Sequence, residues 1–189
     1  VIVNPANDWV DCLTTEELNK IWDPHSNLRN WSEIRSGFPD QPLRLYGPGT
    51  DSGTFDYFTD VINGEQGASR TEYTPSEEDN VLVQGISGDK GSLGYFGYAY
   101  YEENKDKLKV IAVDDGNGCV VPSGITIQDG SYTPLSRPLF IYVNAKSLEK
   151  SEVKEIVKFY MENGKKLVDE VGYISLPASV YAENLNKIE

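Results

Sequence analysis

The chain has 189 residues and a formal net charge of −13, with 30 acidic side chains against 17 basic ones. This length is sufficient for a hydrophobic core. The acidic balance weighs against nucleic acid as a partner, because phosphate backbones are bound mainly by clustered Lys and Arg. No apolar run approaches the roughly 20 residues of a membrane-spanning helix, so none is predicted. A small anionic ligand remains compatible with this charge, since the donors inside a pocket set its local potential.

The first quarter of the chain predicts a strand, a helix and a second strand. Residues 1–3 are an apolar, strand-like triplet. Residues 14–22 are predicted to be helical, because Thr14 is a suitable N-cap and Glu17, three residues later, completes a capping box. Residues 42–46 read as a short strand that leads into a glycine-rich turn.

The remaining elements alternate between helical and extended patterns. Helices are predicted from apolar residues at helical spacing over residues 54–62, 80–87, 98–104, 153–171 and 177–188. Extended segments are predicted at residues 91–97, as a buried turn or strand, and as strands at 109–113 and 138–143. The alternation indicates an α/β fold.

The loop at residues 47–54 reads Gly-Pro-Gly-Thr-Asp-Ser-Gly-Thr and lies between a predicted strand and a predicted helix. The backbone amides of Gly53 and Thr54 and the hydroxyls of Ser52 and Thr54 would converge there on one concavity. Such a set of donors at a helix N-terminus suits a tetrahedral oxyanion. The same pattern also fits an ordinary N-cap on a glycine-rich turn, and the residues alone leave both interpretations open.

A hydrolase is the main catalytic alternative, because Ser52 follows an aspartate and the chain contains one histidine, His25. A nucleophilic serine requires a base and an oriented turn. His25 lies in an Asp-Pro-His-Ser turn, and no G-x-S-x-G elbow is present. We therefore predict that the chain is not an enzyme, and the sequence suggests neither a cofactor nor a metal site.

The two cysteines, Cys12 and Cys119, fit either one disulfide or two unpaired thiols. A bond between them would close a loop of about 100 residues, which the chain-entropy model values at about 4.7 kcal/mol.

The segment from Tyr46 to Thr59, YGPGTDSGTFDYFT, resembles the second phosphate-binding motif of the PstS family. This family comprises the substrate-binding proteins of the bacterial phosphate ABC transporter. The resemblance extends over essentially the whole chain. Its further segments are residues 79–84, 88–97, 135–143 and 171–177.

The resemblance implies a periplasmic-binding-protein-like α/β fold with two lobes. Residues 1–137 would form the complete second, central lobe, including the first crossing strand. Residues 138–189 would supply the return strand and the C-terminal helices of the first lobe. The opening segment of the family is not contained in these 189 residues, so the chain would carry about half of the binding cleft.

The implied function is binding of inorganic phosphate by the extracytoplasmic component of a phosphate ABC transporter. The implied partners are phosphate and the membrane permease subunits, with the protein as a monomer in the periplasm or on the cell surface, with or without a lipid anchor. Two alternatives remain open: a ligand-free sensor or interaction module of the same fold, and binding of another tetrahedral oxyanion.

The family motif places Ser52, Gly53 and Thr54 on the phosphate. Asp51 is favoured as the acceptor for the proton that phosphate carries and sulfate lacks. Thr50 occupies the position where many family members have an aspartate, and we include it in the predicted site.

The chain departs from the motif at Pro48, where many family members have an arginine. Arg70 is the candidate replacement, since a guanidinium can pair with phosphate through two hydrogen bonds. The alternative for Arg70 is a solvated loop arginine.

Overall fold

The computed structural model describes residues 1–188, which divide into two compact units. The first unit comprises residues 1–123 and 132–135, and the second comprises residues 124–131 and the chain from 136 onward. The assignment of residues 1–137 and 138–189 to two lobes stays a prediction. Within residues 1–188, no helix combines the length and the apolar character needed to cross a membrane.

The first unit is built from α-helices and short strands. In chain order they are β1 (Ile2–Val3), β2 (Cys12–Thr14), α1 (Thr15–Trp22), β3 (Arg44–Pro48), α2 (Gly53–Asn63), β4 (Thr74–Ser76), α3 (Asp79–Gly88), β5 (Ser92–Gly94), α4 (Tyr98–Glu103), β6 (Lys109–Val110), β7 (Ala112–Asp114) and β8 (Cys119–Val120).

These strands form two sheets. The larger sheet has the order β4-β3-β5-β1-β6, in which β3 is parallel to both of its neighbours and β1 is antiparallel to both of its own. The smaller sheet has the order β2-β7-β8, with β2 parallel and β8 antiparallel to β7. The parallel pairs are joined through helices, as an α/β fold requires.

The strand predicted at residues 109–113 is divided between the two sheets. β6 belongs to the larger sheet and β7 to the smaller one, with the fully buried Ile111 between them. The N–H of Ile111 donates to the Val1 carbonyl at 3.2 Å, while that of Ala112 donates to the Asp11 carbonyl at 2.9 Å. Strand propensity over five residues does not reveal such a change of partner.

The first helix begins as its capping pattern predicts. The Thr14 hydroxyl accepts the N–H of Glu17 at 3.1 Å, and the Glu17 carboxylate accepts the N–H of Thr14 at 2.9 Å. The helix ends on Trp22, which is 1% exposed and makes edge contacts with Phe58 of α2 and with Tyr95. These aromatic contacts fix α1 against α2 beside the predicted loop.

A disulfide joins Cys12 on β2 to Cys119 on β8, with 6.1 Å between the Cα atoms and a sequence separation of 107 residues. Both strands flank β7, so the bond crosses the smaller sheet. It is one of the two states that the sequence left open for the cysteines.

The second unit contains α5 (Gly124–Gln128), α6 (Ser151–Glu170) and α7 (Ala178–Asn186). The long helix and the last helix therefore form close to their predicted bounds. α6 approaches α7 at Gly164, where a Cβ would come within 2.8 Å of the Tyr181 ring. A glycine at this position permits the close helix packing.

The strand predicted at residues 138–143 is wrong for this structure. The segment is irregular, and Phe140 and Tyr142 are 69% and 92% exposed. The β-branched and aromatic residues of this segment favour a strand, but a strand forms only when a neighbouring strand completes its hydrogen-bond ladder. No strand among residues 1–188 pairs with this segment.

Candidate functional site

The predicted oxyanion loop joins the end of β3 to the start of α2. Ser52 is the N-cap, and its Oγ accepts the N–H of Thr54 at 3.2 Å. The N–H of Ser52 donates back to the Gly49 carbonyl at 3.2 Å, which closes the turn before the helix. The sequence folds in this way because Ser favours the N-cap and glycine relieves crowding in the turn.

The geometry shows the N-cap, while the oxyanion site stays a prediction. Ser52 caps the helix through a lone pair of Oγ, and the hydroxyl proton is not used in that bond. Thr54 is half-buried, while Thr50, Asp51 and Gly53 are exposed. The N-terminal turn of α2 also carries the positive end of the helix dipole, which favours a negative ligand. The residues that form the cap are thus the ones that the sequence predicts for an oxyanion, and the N–H of Thr54 is already used in the cap.

An open cavity of about 530 Å³ lies beside this loop. The loop contributes Gly49 and Thr50 to its wall, and α2 contributes Phe55. The rest of the lining comes from β4 and the residues on either side of it, namely Gly67, Ser69, Arg70, Thr71, Tyr73, Pro75, Ser76 and Glu77.

Arg70 lines this cavity, but Nη1 of its guanidinium already has partners in the protein, while Nε is buried without a hydrogen-bond partner among the described residues. Its side chain is 2% exposed, and Nη1 donates to the carbonyls of Ile21 at 3.2 Å and Leu28 at 3.0 Å. Burial lowers the pKa of Arg70, against a smaller opposing effect from Glu72, whose carboxylate lies 3.8 Å from Nη2. The alternative of a solvated arginine is therefore wrong.

The main chain of the same residue also holds α1. The N–H of Arg70 donates to the Trp22 carbonyl at 3.1 Å, beside the Nη1 bond to Ile21. A cation at the last carbonyls of a helix satisfies orphan acceptors and complements the helix dipole. Arg70 thus has a structural role that the sequence did not predict, and its contact with an anion stays a prediction.

Glu77 is the residue at this loop that sequence reasoning missed. Its Oε1 accepts the N–H of Asp51 at 3.3 Å, although the two residues are 26 positions apart. The carboxylate also packs against Gly49, where any Cβ would collide with it. No local pattern could have placed it here, because the contact depends on the pairing of β3 with β4.

Two neighbouring groups have altered pKa values. Burial, and then the charge of Glu77, raise the pKa of Tyr73, whose hydroxyl donates to the Pro48 carbonyl at 3.0 Å. Burial, followed by Glu77 and Glu78, raises the pKa of Asp79 at the start of α3. Tyr73 therefore remains a neutral donor, and the acidic residues place negative potential on this side of the loop.

The serine and histidine of the catalytic alternative are not joined in the part of the chain that the structure describes. His25 lies in an exposed turn with Nδ1 3.3 Å from Asp23 Oδ1, and no hydrogen bond joins it to Ser52 in the described residues. Over residues 1–188, no group of three or more His, Cys, Asp or Glu side chains is arranged to hold a metal ion. A helix N-terminus of this kind is compatible with the binding of an anion.

Residues 1–163 match the family model of the PBP superfamily domain. Protein SphX of Synechocystis is 52% identical over 191 residues, which cover 100% of this chain and 56% of that protein. The phosphate-binding protein PstS of Staphylococcus saprophyticus is 37% identical over 191 residues, with 100% and 58% covered. The chain thus spans little more than half the length of these relatives.

Among solved structures, a possible phosphate binding protein from Planctomyces limnophilus is similar to this chain with a TM-score of 0.90 and 52% identity. The match covers 99% of this chain and 66% of that one. The periplasmic-binding-protein-like α/β fold and the resemblance to the PstS family are confirmed. The chain belongs to the PBP superfamily.

Proposed function

We propose that the chain binds inorganic phosphate as part of the extracytoplasmic substrate-binding component of a phosphate ABC transporter. The observation that carries the proposal is the N-terminus of α2, where Ser52 caps the helix and the loop before it borders an open cavity. The names of the PstS relatives agree with this ligand. The partners in this proposal are phosphate and the membrane permease subunits.

In this proposal the phosphate oxygens accept hydrogen bonds from the loop. The hydroxyls of Ser52 and Thr54 and the backbone N–H of Gly53 are the donors, while the N–H of Thr54 stays on Ser52 Oγ. Thr50 lies at the cavity wall. Asp51 is the acceptor for the proton of phosphate, which sulfate cannot supply. The protein captures its ligand and performs no covalent step.

The role that we propose for Arg70 differs from the direct pairing with phosphate that the sequence predicts. Its Nη1 is occupied by main-chain carbonyls and its side chain is 2% exposed, so we assign to Arg70 a positive potential at the cavity wall rather than a two-bond clamp. The nearby charge still favours a dianion, because Coulomb interactions act beyond hydrogen-bond distance.

An extracytoplasmic location is part of the same proposal. The bond between Cys12 and Cys119 supports it, since disulfides persist mainly in oxidising compartments.

Isothermal titration calorimetry of the whole protein tests the proposed ligand. We expect heat of binding and thermal stabilisation with phosphate, and much less of both with sulfate. Absence of heat and of a thermal shift with phosphate would favour the ligand-free sensor or interaction module. Equal binding of sulfate and phosphate would favour a general oxyanion site.

Replacing Thr54 with Val is expected to weaken phosphate binding by about 1 to 3 kcal/mol. The change removes one hydroxyl donor at nearly constant volume and leaves the N–H bond to Ser52 Oγ in place. The control is Thr54→Ser, which retains the hydroxyl and should retain most of the affinity. Calorimetry at one ionic strength measures both, and unchanged affinity in Thr54→Val would remove this hydroxyl from the site.

A further inference from the structure

The carboxylate of Glu77, an exposed residue of the same chain, lies on the oxyanion loop. Its Oε1 accepts the N–H of Asp51, the residue immediately before the N-cap Ser52. It also fills the space above Gly49. A negatively charged oxygen therefore already lies on the loop that the proposed function assigns to a negative ligand.

The position of this carboxylate is built into the sheet. Pro48 of β3 pairs with Ser76 of β4, and the N–H of Gly49 donates to the Ser76 carbonyl at 3.3 Å. The backbone of Glu77 is therefore fixed beside the loop. The absence of a side chain at Gly49 then leaves room for the carboxylate to reach the Asp51 N–H.

No basic side chain neutralises Glu77 by an ion pair within the part of the chain that the structure describes. The residues that follow it in the sequence, Glu78 and Asp79, are acidic as well. After burial, the charge of Glu77 contributes to raising the pKa of both Tyr73 and Asp79. An incoming phosphate would meet this charge.

We propose that the Glu77 carboxylate is an intramolecular competitor for the anion: it holds the N–H of Asp51, beside the donors assigned to the ligand, and an arriving anion displaces it. This inference rests on the proposed phosphate binding. Displacement frees the N–H of Asp51 and relieves the repulsion between the carboxylate and the ligand. The residue thereby lowers the affinity for every anion that enters the loop, and it keeps the ligand-free loop hydrogen-bonded.

The test compares Glu77→Gln with the control Glu78→Gln in the whole protein. In the Glu77→Gln variant the amide oxygen can still accept the Asp51 N–H, but it carries no charge. It should therefore compete poorly with an anionic ligand. We expect this variant to bind both phosphate and sulfate about three- to tenfold more tightly at low salt. Glu78→Gln makes the same charge change one residue further on, where no bond to the loop is formed, and should alter affinity by less than about twofold.

Salt dependence separates the charge effect from a change of shape. Salt screens the repulsion, with a Debye length of about 10 Å at 0.1 M and about 3 Å at 1 M. The affinity difference between Glu77→Gln and the native protein should therefore shrink as salt is raised. A purely structural role for Glu77 would give a difference that does not depend on salt.

Three results would overturn the inference. Native-like phosphate affinity in Glu77→Gln would show that the carboxylate does not compete. Weaker phosphate binding with unchanged sulfate binding would show that Glu77 accepts the phosphate proton instead. If neither the native protein nor the variants bound phosphate, the proposed function and this inference would both fail, whereas the first two results leave the proposed function intact.

Discussion

Replacing Cys12 and Cys119 together by Ser is expected to lower the free energy of unfolding by about 4 to 5 kcal/mol. The bond joins residues 107 positions apart, so its loss releases a long loop in the unfolded chain and increases the entropy of that state. The expected loss is comparable with the whole stability of many domains, which lies at about 5 to 15 kcal/mol.

Urea denaturation followed by tryptophan fluorescence measures this loss. Treatment of the native protein with a reductant should reproduce it, because Cys119 is exposed and Cys12 is half-buried. The reductant should not change the free energy of unfolding of the double variant. The double variant therefore serves as the control for effects of the reductant other than reduction of the disulfide. Equal denaturation midpoints for the native protein and the double variant would contradict the expected contribution of the disulfide.

Replacing Arg70 with Met is expected to lower the free energy of unfolding by about 2 to 4 kcal/mol. The change leaves the carbonyls of Ile21 and Leu28 without a buried donor and removes a cation from the C-terminal end of α1. Phosphate binding should weaken about tenfold, through the loss of positive charge at the cavity wall.

Two further variants separate these effects. Arg70→Lys keeps the charge but not the planar fork, so it should lose stability and retain most of the phosphate affinity. Arg29→Met removes an exposed arginine and should change stability by no more than about 0.5 kcal/mol. Native-like stability of Arg70→Met in chemical denaturation would refute the structural role, and native-like affinity would refute the electrostatic one.

Elements whose signals are local could be predicted from the sequence. The capping box of Thr14 and Glu17 is closed within four residues, and the N-cap at Ser52 lies directly before the helix that it starts. Such patterns need no knowledge of tertiary neighbours. This is why the predicted helices and the predicted loop lie close to their observed positions, whereas the short α5 was not predicted.

Features that depend on distant partners could not be predicted in the same way. Residues 138–143 have the composition of a strand but no ladder partner among the described strands, and residues 109–113 change sheets in mid-strand. Arg70 reads as a loop residue until Ile21 and Leu28 are placed beside it. Glu77 likewise reaches the loop only through the pairing of β3 with β4.

The division of residues 109–113 between two sheets has a consequence for how the first unit opens. Ile111 and Ala112 are adjacent in the chain, yet their N–H groups bond to Val1 and Asp11, which adjoin strands of the two different sheets. Neither sheet can separate from this segment without disturbing the other, so both should behave as one cooperative unit in hydrogen exchange. The backbone amides of the smaller sheet, which carries the disulfide, and those of β1 should accordingly exchange with similar opening free energies. Reduction of the disulfide should lower both opening free energies.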